Sequence, residues 1–152
     1  MDWRGHLGFN MLITSALLYM LSLSGVEVNR LILLSSVLSS IPDIDLRFEL
    51  PHRKVTHNIF FGITISLLAG YIASSLNHYS FEFTFVVFLT AFTTHILGDL
   101  MTKLPFRPLY PLIRTPVSLR LFRSSNNLVN TAFLLAGVAT YYVYISKFGF
   151  AI

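Results

Sequence analysis

Apolar residues in this chain gather into long runs broken by short polar stretches. Four runs, 7–24, 59–76, 83–100 and 128–146, reach or approach the length that crosses a bilayer, about 17–25 residues as helix. A fifth, 31–41, is too short to cross alone. Extended to about 27–43 it reads either as a short crossing or as a re-entrant helix. Its serines, Ser35, Ser36, Ser39 and Ser40, suit close helix packing better than lipid contact. The stretch 102–125 breaks the pattern with Pro105, Pro108, Pro111 and Pro116 and with Lys103, Arg107, Arg114, Arg120 and Arg123. Prolines three to five residues apart exclude a regular helix there. Partial alternation in "VSLRLF", with Val117, Leu119 and Leu121 on one side, hints at a short strand. The segment reads as an interfacial loop or small hairpin, with Ser124, Ser125 or Asn126 available to cap the last helix. The expected fold is therefore an all-α, polytopic membrane helical bundle of about five membrane helices, the second short, in one domain over 1–152.

Composition supports that class. Hydrophobic residues make up 54% and charged residues 12%, against about 25% charged in a soluble domain. Arg4 before the first run, and "SLSG" after it, raise the possibility of a signal peptide. The run is longer than the roughly 7–15 residues of a signal core, so a retained helix is expected. There is no cysteine, which removes disulfides, thiolate ligands and a thiol nucleophile. No basic helix or aromatic-basic interleaving points to nucleic acid. With five crossings, Arg4, Arg47, Arg53, Lys54, Lys103, Arg107, Arg114, Arg120 and Arg123 fall on one side, and only Arg30 and Lys147 on the other. That bias places the first side, with the N-terminus, in the cytoplasm, and the protein in the cell (inner or plasma) membrane.

His6, His52, His57 and His95, four of the five histidines, fall at helix ends on the same side with Asp43, Asp45 and Asp99, and only His78 lies on the other. "HILGD" sets His95 and Asp99 four apart on one helix face, suited to one metal ion or to a His–Asp hydrogen bond. "PDID" offers Asp43 and Asp45, which repel unless a cation or proton lies between them; the alternative is a helix-ending turn. "HRKVTHN" supplies His52, Arg53 and His57, with Thr56 expected to cap the third helix and place His57 in its first turn. There the set would meet a phosphate or anchor on lipid headgroups. "GHLGFN" adds His6 and Asn10, with Gly5 and Gly8 permitting a close backbone. Nitrogen and oxygen donors without sulfur suit zinc, or manganese or another first-row divalent ion. Seven candidate donors exceed the roughly four of one zinc site, which leaves room for a second ion or for groups that orient the ligands.

The series Gly-His-Leu, Pro-Asp-Ile-Asp, His-Arg-x-x-Thr-His, His-x-Leu-x-Asp, a proline-rich loop and an Asn before the last helix resembles the YdjM-like family over about residues 5–127. These are inner-membrane proteins described as metal-dependent hydrolases. The resemblance implies a multi-pass membrane protein with a metal hydrolase site, and its polar positions match His6, Asp43, Asp45, His52, Arg53, Thr56, His57, His95, Asp99 and Asn126. The chain departs from it at Leu46, Lys54, Asn58 and Val129.

The leading reading is a membrane-embedded, metal-dependent hydrolase acting on a phosphoester, phospholipid or lipid-linked phosphate at the cytoplasmic face. Asp43, His57, His95 and Asp99 are the first-choice ligands for one or two ions, with His6 and Asp45 next. His52 is the candidate general acid or base, with Asp45 a second catalytic candidate. Arg53, with Arg107, Arg114 or Arg120 and Asn126, would hold the anionic group. Membrane lipid is the expected partner. The rival reading is a non-catalytic membrane scaffold or adaptor whose polar cluster knits helix ends together. A transporter would need ionisable groups deep in the helices, and here they gather at one end.

Overall fold

The computed structural model describes residues 1–43, 56–76 and 79–150. Among them are five helices and no strand: α1 (Trp3–Met20), α2 (Val26–Leu38), α3 (Ile59–Ser75), α4 (Phe81–Leu100) and α5 (Asn127–Phe148). Four of them start on a side-chain cap. Asp2 accepts from the Gly5 N–H and begins α1 four residues before the apolar run. Ser80 accepts from Phe83 N–H at the head of α4, and Asn126 from Val129 N–H at the head of α5. Such caps satisfy amide donors that the first turn leaves open. At α3 the cap is Asn58, whose side chain accepts from Phe61 N–H at 2.7 Å. This corrects the expected Thr56 cap: His57 lies before the helix, not in its first turn.

Helices α1 and α5 lie against each other, α3 packs on α4, and α2 fits between α1 and α4. The α1–α5 approach is close. A Cβ on Gly8 would stand 2.4 Å from the Leu134 backbone, and one on Gly137 would stand 2.3 Å from the Gly8 carbonyl oxygen. At one end of the bundle Leu18, Ile32 and Tyr144 form an apolar cluster, and the Tyr144 hydroxyl donates to the Leu23 carbonyl. Midway, the buried Asn10 amide donates to Thr94 Oγ1 at 2.6 Å and accepts from Ser35 and Ser36 hydroxyls, joining α1, α2 and α4. The head of α1, the exit of α2, the entry to α3 and the tail of α4 meet at the opposite end.

So α2 travels from one end of the bundle to the other and does not return to the end it left. Three of the four serines expected to pack closely do so: Ser35, Ser36 and Ser39 are fully buried, while Ser40 is only half-buried. Two helices, α4 with 20 residues and α5 with 22, are long and apolar enough to cross a membrane. Helix α3 is apolar but has 17 residues, and α2 has 13. The expected hairpin after α4 is reduced to an antiparallel bridge between Phe106 and Val117 and a parallel one between Thr102 and Phe122. The prolines remove the donors a longer ladder needs.

Candidate metal centre

Where the four segments meet, the side chains converge. Helix α1 brings His6, the turn after α2 brings Asp43, the entry to α3 brings His57, and α4 brings His95 and Asp99. The Nε2 of His6 lies 3.4 Å from Asp99 Oδ1 and 3.7 Å from Asp43 Oδ2. The Nε2 of His57 lies 3.3 Å from Asp43 Oδ1 and 3.4 Å from Asp99 Oδ2. The Nε2 of His95 lies 3.7 Å from Asp43 Oδ1, 4.0 Å from Asp99 Oδ2 and 3.0 Å from His57 Nε2. Three imidazoles thus turn the same nitrogen toward two carboxylates. Ligand atoms from His6, Asp43, His95 and Asp99 all lie within 4.8 Å of one another, so this group could hold a metal ion.

The far nitrogens explain the orientation. His95 Nδ1 is 2.7 Å from the Ser39 carbonyl oxygen. A carbonyl only accepts, so Nδ1 carries the hydrogen, and the neutral ring has a lone pair on Nε2. His57 Nδ1 is 2.8 Å from Thr56 Oγ1. Fixing Nδ1 with a protein oxygen while Nε2 faces inward is how proteins orient metal-ligating histidines. His6 stacks on His95 with ring centroids 3.9 Å apart, and neither of its buried nitrogens makes a hydrogen bond among the described residues.

Burial sharpens the electrostatics. The side chains of His6, His57, His95 and Asp99 are fully buried, while that of Asp43 is 21% exposed. A buried carboxylate costs several kcal/mol unless a cation or donors compensate it. In this structure the Met1 ammonium pairs with Asp99 Oδ1. Burial disfavours charge on His57, but its hydrogen bonds to Asp43 and Asp99 outweigh that, and its pKa stands above the ordinary histidine value.

The donor set fits a divalent ion. Adjacent ligands on bonds of about 2.0–2.1 Å to a tetrahedral ion lie about 3.3 Å apart; the His–Asp separations here run from 3.3 to 4.0 Å, and His57 and His95 stand 3.0 Å apart. Imidazole nitrogen with carboxylate oxygen suits zinc, manganese or iron without selecting among them.

Asp45, His52 and Arg53 lie outside the described residues. Arg107, Arg114 and Arg120 are exposed on the α4–α5 connection. Asn126 is engaged as the α5 cap. Sequence reasoning missed the Ser39 carbonyl, which no residue type announces, and Phe106, 3% exposed, whose ring lies 6.3 Å from that of His57. It also missed the Met1 amine beside Asp99.

A model of the YdjM inner membrane protein family matches residues 1–152. The chain matches no curated protein and no solved structure.

Proposed function

The chain belongs to the YdjM inner membrane protein family, and on that footing we propose that it is a multi-pass, metal-dependent hydrolase of a membrane phosphoester. The observation that carries this reading is the buried convergence of His6, His57 and His95 on Asp43 and Asp99. A structural knot would be served by one His–Asp pair; five donors at coordination-like separations suit an ion better. Zinc is the first choice, because nitrogen and oxygen donors at these separations suit its four-coordinate geometry. A bound divalent ion would supply Lewis acidity and make a water more acidic at neutral pH.

The chain's own residues set the rest. The Ser39 carbonyl holds His95 in the tautomer that presents Nε2. Asp43, the one partly exposed member of the cluster, marks the side from which a substrate reaches it. Phe106 and the carbon faces of the imidazoles keep bulk water from the interior. His52 and Asp45 are the proposed proton-transfer groups, and Arg53 the proposed clamp on an anionic oxygen. All three belong to the segment between Asp43 and His57.

On the proposed five-crossing topology, loop order would put the cluster on the side with nine of the eleven Lys and Arg residues. That side is proposed to be cytoplasmic. The test is release of headgroup or phosphate from phosphoester amphiphiles by the detergent-purified protein. Turnover should vanish with a chelator, return with added divalent ion, and be lost in Asp99→Asn. Turnover indifferent to chelator, or none across a broad panel with metal-loaded protein, would contradict the reading.

A further inference from the structure

The α4–α5 connection carries a feature that the metal cluster does not use. A cleft of about 500 Å³ opens beside the end of α4, within the roughly 300–1,000 Å³ of small-molecule sites. Leu100, Pro105, Pro116, Val117 and Leu119 line it, together with Ser118 and Arg120.

Arg120 has φ +55, a left-handed conformation uncommon for residues other than glycine, asparagine and aspartate. Its neighbours enforce it. Leu119 N–H donates to the Leu100 carbonyl at 2.8 Å, Leu121 N–H to the Met101 carbonyl at 3.0 Å, and Arg120 N–H to Ser118 Oγ at 3.1 Å. Glycine would sit there with less strain. A long cation held at such a backbone position is explained by what its side chain does.

The surroundings say what that is. From 101 to 126 the chain has Lys103, Arg107, Arg114, Arg120 and Arg123 and no acid. It also exposes Leu112, Leu119 and Leu121, at 77%, 58% and 61%. Cations interleaved with exposed apolar side chains match the boundary of an anionic bilayer. A guanidinium offers two parallel donors to a phosphate. The cleft is also tied to the cluster: Ser118 Oγ donates to the Thr102 carbonyl, and Thr102 donates through N–H and Oγ1 to the Asp99 carbonyl.

We propose that this cleft binds one anionic phospholipid of the surrounding bilayer, with Arg120 on its phosphate and the acyl chains along the leucine and proline walls. Binding stands on the cleft alone; its role in presenting headgroups to the cluster rests on the hydrolase reading.

The test uses the full chain, purified in detergent, with lipid retention measured by native mass spectrometry against phosphatidylglycerol and phosphatidylcholine. Phosphatidylglycerol should be retained by wild type and by Arg123→Gln. Retention should fall about tenfold or more in Arg120→Gly, as expected for a lost charge-assisted bond. Because glycine suits that backbone, Arg120→Gly should melt no lower than wild type, and Arg120→Asn, also tolerated there, should repeat the loss. Equal retention by the Arg120 variants, equal retention of phosphatidylcholine, or an equal loss in Arg123→Gln would overturn the proposal. So would displacement of the lipid by millimolar inorganic phosphate, which would make free phosphate the ligand. Metal content is measured in the same samples. Arg120-dependent retention in metal-free protein would sink the hydrolase reading and leave this site standing; metal-loaded protein without such retention would do the reverse.

Discussion

Asp99 meets His6 and His57 at 3.4 Å and His95 at 4.0 Å, and also pairs with the Met1 ammonium, with no exposed side-chain surface. Such a carboxylate is tolerable only when positive charge reaches it. Asp99→Asn should therefore lose bound metal more completely than Asp43→Asn, whose side chain keeps some contact with water; elemental analysis of the two proteins checks this. His57 sets a pH dependence. Its pKa stands above the ordinary histidine value, and an ion competes with its proton. Metal affinity should then be weak below that raised pKa, climb as pH rises through it, and level off above. Without metal the sign reverses for stability: the charged His57 stabilises the fold below the unfolded-state pKa, and that contribution fades as pH rises through the folded one. Titration of metal binding and of melting temperature against pH separates the two. At this scale the sequence was informative where spacing dictates direction. His95 and Asp99, four apart on one helix, share a face as expected. The Ser39 carbonyl was not legible, because a main-chain oxygen leaves no trace in residue identity.

Between elements, the tightest contact is glycine against backbone. Gly8→Ala and Gly137→Ala each push a methyl into the facing main chain, which has no side-chain freedom to give way. Each should lower stability by about 1–3 kcal/mol, the usual cost of overpacking, seen as a reduced melting temperature in detergent. Asn10→Ala leaves a buried hole and removes the amide that links Thr94, Ser35 and Ser36, whose hydroxyls keep only main-chain acceptors on their own helices. Interhelical bonds of this kind average about 0.6 kcal/mol and reach about 1.7, so its loss should be smaller than that of Gly8→Ala. The helices themselves were largely legible, since apolar runs mark them and short polar side chains start them. Helix α1 began earlier than its run, because Asp2 caps it over polar residues that periodicity discounts. The hairpin after α4 was overestimated, because partial alternation in "VSLRLF" says nothing of a partner strand thinned by prolines.

Across the whole molecule, His6, Asp43, His57, His95 and Asp99 meet at one end of the bundle, with the apolar Leu18–Ile32–Tyr144 cluster at the other. The absence of cysteine makes orientation easy to measure. In intact cells, an impermeant maleimide should label Ser24→Cys and leave Ser125→Cys unlabelled until the membrane is opened. The opposite pattern would reverse the proposed topology. Net charge alone says little here; the side on which each cation falls carries the information, and this labelling reads it. His6, Asp43, His57, His95 and Asp99 were all candidates from the sequence; the separations at which they meet were not legible, because donors as far apart as His6 and Asp99, 93 positions, are brought together only by helix packing. The claim on which everything else turns is that these donors hold an ion. Elemental analysis of the purified full chain tests it most directly, alongside His95→Ala and Asp99→Asn variants that remain folded by circular dichroism. One or two divalent ions per chain are expected in wild type, with loss in both variants. Metal-free wild type after purification with divalent ions present, or unchanged metal in both variants, would contradict it.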